Sequence, residues 1–189
     1  MAIIFDFEKF NSSDTKVKYG FAKELLKIAS CTPELLYEYF DQWTILMKNK
    51  NNILKWTAID IIGYLSRVDK EDKTVEKIND LFKLLHAGKL ITCNHAIFAL
   101  ELIAQNKHQY LPQIIDELLA VSRDKFDTEE CKNIATGKVL DALKPFLGEI
   151  NNNQKVVEFI QIASNNSRNS TKRKAEQLIR KLEKYKLLK

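Results

Sequence analysis

The chain has 189 residues, 45% apolar and 29% charged, the balance of a folded globular protein rather than a disordered one. Its five glycines and three prolines are too few for the tight turns of an all-β sandwich or for the strand ends of a parallel α/β fold. The net charge of +5 belongs to one end: residues 1–166 carry 21 Lys/Arg against 23 Asp/Glu, and residues 167–189 carry 9 against 2.

The N-terminal MAIIFDFEKF has no basic stretch, and Asp6 and Glu8 interrupt its apolar residues, so it does not read as a secretory signal. Phe5, Phe7 and Phe10 are expected to cover the open end of the first helical unit. VKYGFAKELLKIA then places Ala22, Leu25, Leu26 and Ala29 on one face of a helix. Pro33 behind Thr32 reads as the first residue of a second helix with Thr32 as its cap, carrying Leu36, Tyr39, Phe40 and Trp43. After a break at 48–52, ILKWTAIDIIGYL repeats the first pattern with Ala58, Ile61, Ile62 and Leu65. A helix from about Asp72 follows, with Val75, Ile78, Leu81, Phe82 and Leu85, ending near Gly88. ITCNHAIFALELI brings the pattern back with Ala96, Ala99, Leu100 and Ile103. Leu111, Ile114, Ile115, Leu118 and Leu119 mark the next helix. CKNIATGKVLDAL supplies Thr136, Val139, Leu140 and Leu143. Beyond a turn over 148–153, Val156, Val157 and Ile160 mark a further helix. Thr171 is expected to open the last one, STKRKAEQLIRKL, with Ala175, Leu178, Ile179 and Leu182.

The five similar segments begin at Val17, Ile53, Ile91, Cys131 and Ser170, which are 36, 38, 40 and 39 residues apart. Each has a small residue followed by apolar ones at +3, +4 and +7, so a second helix can approach closely at the small residue. The expectation is an all-α fold, a right-handed α–α superhelix of about four helix pairs plus an N-terminal half repeat. It would be one domain, 1–189, with residues 1–14 as an N-terminal cap and 168–189 as a basic C-terminal capping helix. The tetratricopeptide alternative has a period of about 34 and a Trp/Leu-Gly/Tyr signature that this sequence lacks.

On this period the chain resembles the HEAT/armadillo class over residues 15–185. PELLYEYFDQW, ILKWTAIDIIGYLSRVD, EECKNIATGKVLDAL and SRNSTKRKAEQLIRKL are similar to segments of uncharacterised prokaryotic HEAT-like proteins. The resemblance implies a fold and no activity. It also implies that the second helix of each pair lines a concave surface. Residues two before, two after and five after the small one would then face outward. The rows are Gly20, Trp56, Asn94, Ile134, Arg173; Glu24, Asp60, Phe98, Lys138, Gln177; and Lys27, Gly63, Glu101, Asp141, Arg180.

Trp56, Asp60, Asn94, Phe98 and Lys138 are therefore the candidate partner-binding residues, because aromatic anchors within a polar rim concentrate binding energy. The expected role is a non-catalytic binding module for a protein or peptide, in the cytoplasm. Trp56 and Asp60, one turn apart, also resemble the lesion-holding pair of HEAT-like alkylpurine DNA glycosylases. Those enzymes grip phosphates with an Arg on a later concave helix, where this chain has Asn94 and His95. Lys172, Arg173, Lys174, Arg180 and Lys181 form a basic patch that gives nucleic-acid association as the alternative. Cys31, Cys93 and Cys131 are widely spaced and form no CxxC pair; His86, His95 and His108 have no Cys or His one turn away. No metal site, cofactor or catalytic residue is expected from these spacings, and no stretch approaches the roughly 18 apolar residues of a membrane span.

Overall fold

The computed structural model describes residues 4–187. Helix follows helix, and among the described residues there is no strand. The residues group into two compact units: the chain up to Leu81 with Phe98–His108, and Phe82–Ile97 with Gln109 onward.

The first unit holds α1 (Thr15–Cys31), α2 (Glu34–Tyr37), α3 (Phe40–Leu46), α4 (Asn52–Leu65), the start of α5 (Ile78–Leu85) and the C-terminal half of α6 (Leu90–Asn106). Asp14 caps α1 by accepting from the Lys16 N–H, and Asn51 caps α4 by accepting from Ile53 and Leu54. α4 packs against both α1 and α3. The contact faces are those set by the 3.6-residue period: Ala22, Leu25 and Ala29 on α1, and Ala58, Ile61, Ile62 and Leu65 on α4, all buried. A 3-10 turn at Phe7–Asn11 lies over this core. The Phe7 ring sits 5.4 Å from Trp43 and 6.2 Å from Phe21, and Phe10 is buried 5.0 Å from Phe21.

The helix expected from Pro33 is two helices. Thr32 caps the end of α1, its N–H donating to the Ile28 carbonyl at 2.7 Å, and Pro33 stands at the N-cap of α2 rather than inside it. The chain breaks at Glu38 and Tyr39, where the Tyr39 N–H bonds the Leu36 carbonyl. A continuous helix would pair that carbonyl with Phe40. Instead the indole N–H of the fully buried Trp43 donates to it at 3.0 Å. A large ring and a satisfied polar atom outweigh one lost turn of helix.

The second unit holds the end of α5, the N-terminal half of α6, α7 (Leu111–Ala120), α8 (Glu129–Leu143), α9 (Leu147–Ile150), α10 (Gln154–Ala163) and α11 (Asn169–Leu187). α11 packs on α8 and α10, and α7 on α8 and α10. The turn expected at 148–153 is partly helical, because Leu147 and Ile150 are buried one turn apart and fold it into α9. α11 begins at Asn169, ahead of Thr171. Thr171 does not open the helix: it is buried, its Oγ1 donating to the Asn133 carbonyl at 2.8 Å.

All five copies of the sequence pattern lie on long helices (α1, α4, α6, α8, α11), and the small residue is buried in each. At +4, Ile62, Leu100 and Leu140 are buried, whereas Leu26 and Ile179 of the two outer copies are half-buried.

Candidate interaction surfaces

In the first unit, α4 turns Trp56, Asp60 and Tyr64 outward at i, i+4 and i+8, each half-buried. The position follows from the burial of Ala58, Ile61, Ile62 and Leu65 on the other face. Phe98, on α6, is also half-buried, and its ring meets Tyr64 edge-on at 5.3 Å. Burial pushes the Tyr64 phenol above its ordinary range, and the Asp60 carboxylate near it adds to the effect. Glycine makes this arrangement possible. A Cβ on Gly63 would lie 2.8 Å from the Ala99 Cα, so only a residue without a side chain lets the two helices come this close. Gly63, expected to face outward, is accordingly buried. Tyr64 was outside the expected rows; the signal for it was the i, i+4, i+8 spacing from Trp56.

Of the five partner-binding candidates, Trp56, Asp60 and Phe98 belong to this unit; Asn94 and Lys138 belong to the other. Asn94 is half-buried, with its Oδ1 enclosed and unpaired among the described residues. Lys138 is exposed on α8.

Asp69 is a second feature of the first unit, and sequence reading missed it. Its buried carboxylate accepts from the backbone of Glu71, Lys73 and Thr74, from Thr74 Oγ1 at 2.5 Å and from the Tyr37 hydroxyl at 2.5 Å. Lys107 Nζ lies 3.9 Å away and donates to the Asp69 carbonyl and to Asp72 Oδ1. Burial pushes the Asp69 carboxyl up, but the bonds from Thr74 and Tyr37 and the Lys107 charge outweigh it and hold it below the usual range. Every oxygen is engaged, so the group anchors a loop; that loop includes Asp72 in the left-handed region at φ 59°.

In the second unit His86 lies between two carboxylates, Nδ1 2.7 Å from Asp124 and Nε2 3.0 Å from Glu117. Cys93 is buried, and burial, with the Asp124 charge adding, pushes its thiol up to about 12. Cys131 is half-buried, and Cys31 is exposed. An open depression of about 530 Å³ between α7 and α10 is rimmed by Glu117, Arg123, Lys155 and Glu158, with Phe159 and Ile162 in its wall. Many polar links here join residues one repeat apart: His86–Asp124 and Lys89–Asp127 at 38 residues, Lys155–Asp116 at 39. Pairing charged residues at that offset could have found them in the sequence.

The basic patch is split. Lys174 is engaged by α8, donating to Asp141 at 2.5 Å and to the Gly137 carbonyl at 3.2 Å. Asp141 is held below the usual carboxylate range: burial opposes this, and Lys144 and Lys174 outweigh it. Lys172, Arg173, Arg180 and Lys181 are exposed, as is Lys184.

Among the described residues no group of three or more His, Cys, Asp or Glu could hold a metal ion, and no helix is long and apolar enough to cross a membrane. Compared with known protein families, curated proteins and solved structures, the chain matches none.

Proposed function

We propose that the protein is a cytoplasmic, non-catalytic binding module, a HEAT-like right-handed superhelix forming one domain, that takes a protein or peptide partner on its second-helix rows. The observation that carries this reading is the half-exposed aromatic surface of Trp56, Tyr64 and Phe98 beside Asp60. Aromatic side chains bring large contact area at low entropic cost and are enriched at the centres of interfaces. The acidic neighbour suits a partner that offers an apolar anchor next to a cation. Asn94, whose Oδ1 is unpaired among the described residues, and Lys138, both in the second unit, are the other two candidates from the sequence rows. The solenoid reading is supported by the five buried small residues and by side-chain links at one period.

The test uses the purified chain as bait in an extract of the source cells, beside Phe98→Ala and Asp60→Lys. A discrete protein retained by the wild type should fall at least about tenfold with either variant, as for loss of an interface anchor. The melting temperature should stay near that of the wild type, since partly exposed substitutions change stability by about 0.5 kcal/mol. Recovery unchanged by both variants would contradict the assignment.

A further inference from the structure

Along α11, Thr171, Ala175, Leu178 and Leu182 are buried, and Arg173, Gln177, Arg180 and Lys184 are exposed on the side opposite them. Lys172 and Lys181 flank this ridge; Glu176 and Glu183 lie beside Lys172 on one edge. Four cations of the second unit have acidic partners, Lys89 with Asp127, Lys155 with Asp116, Arg168 with Glu130 and Lys174 with Asp141; Arg123, Lys125, Lys132 and Lys138, scattered over other elements, have none among the described residues. Lys172, Arg173, Arg180, Lys181 and Lys184 have none among the described residues. Charge is therefore neutralised where α11 meets the body and left uncompensated where it does not.

We propose that this ridge is a docking surface for the phosphate backbone of duplex DNA, bound without reading base sequence. From Arg173 to Lys184 the helix rises by eleven residue steps, about 16 Å, comparable with the roughly 12 Å major groove of B-form DNA. Long cationic side chains on a helix of that length reach phosphates on the groove's lips. An A-form RNA duplex, with its deep and narrow major groove, fits such a helix poorly. A single strand would need aromatic platforms, and Tyr185, the aromatic of α11, lies over Gly148, whose Cβ would be 3.7 Å from the Tyr185 hydroxyl. A membrane surface would need an apolar face beside the charges, and here that face is already packed on α8 and α10. The ridge has no apolar anchor of the kind that centres a protein interface.

The experiment is anisotropy of a short fluorescein-labelled DNA duplex titrated with the full chain at several salt concentrations. Binding should fall in the range typical of non-specific contacts, roughly 10⁻⁴–10⁻⁶ M at physiological salt, and weaken with a log–log slope of about −0.9 per phosphate contact. Two duplexes of unrelated sequence should bind alike. The variant Arg173→Gln/Arg180→Gln/Lys184→Gln should lose at least about tenfold in affinity at low salt with its circular dichroism and melting unchanged. Arg180→Glu alone replaces it if the triple variant unfolds. Lys174→Met should instead lower the melting temperature and leave a folded protein that still binds. Salt-independent binding, equal binding by the ridge variant, or no binding at low salt would overturn the proposal. So would equal affinity for an RNA duplex, for polyglutamate or for phosphatidylcholine–phosphatidylserine vesicles.

Discussion

At Asp69, five donors converge on one buried carboxylate, and the consequence is a pH dependence with a definite sign. The folded carboxyl is held below its ordinary value, whereas the unfolded chain titrates near 3.9. Its contribution is therefore fully present above about pH 4 and is lost as the pH falls through the folded value. The melting temperature of the wild type should drop between pH 5 and pH 3 more steeply than that of Asp69→Asn, and at pH 7 the variant should be less stable by about 3 kcal/mol. Parallel pH profiles would mean that Asp69 holds no such bonds in solution. Cysteine exposure gives a second residue-scale outcome. Cys31 is exposed and Cys93 is fully buried with its thiol pushed up to about 12. A maleimide should label Cys31 at once and Cys93 only through unfolding, slower by roughly 10³ or more. Comparable labelling rates at pH 7, read by mass spectrometry, would contradict the packing of α6.

Between helices, two glycines make opposite predictions from the same substitution. Gly63→Ala puts a methyl 2.8 Å from the Ala99 backbone and should cost about 1–3 kcal/mol. Gly20→Ala, on the exposed side of α1 with nothing within 4 Å, should stabilise by about 0.5–1 kcal/mol. Urea unfolding of the two variants checks both, and a neutral Gly63→Ala would mean the helices stand further apart. The contrast also marks what the sequence could tell. Apolar residues at 0, +3, +4 and +7 located the long helices because burial of one face dictates that period. It did not distinguish Gly63 from an outward residue, since glycine fits either place and only the approach of Ala99 decides. Nor did it show the break at Glu38–Tyr39, where the Trp43 indole competes for the Leu36 carbonyl. The Asp69 loop and the His86 carboxylate pair were hidden because their partners are joined through turns and across a repeat, outside any helical window.

For the whole molecule, stability rests on the buried apolar faces of the long helices. Ile62 and Leu100 have no exposed surface, so Ile62→Asp or Leu100→Asp buries an unpaired charge and should leave the chain without a cooperative melting transition. A folded, well-behaved variant would mean the faces do not carry the fold. The candidate site is less legible in the sequence than the fold: the helical period reaches Trp56, Asp60 and Phe98, but nothing in it separates Lys174, held by Asp141 and the Gly137 carbonyl, from its free neighbours. The Trp56–Tyr64–Phe98 surface is the proposed docking place of the protein partner. The most direct measurement is photo-crosslinking in source cells with p-benzoylphenylalanine in place of Phe98, against a control at Ile45, an exposed apolar residue on α3. A discrete protein adduct at position 98 that survives nuclease, absent at position 45, is the predicted result. No adduct at position 98, or the same adducts at both, would contradict it.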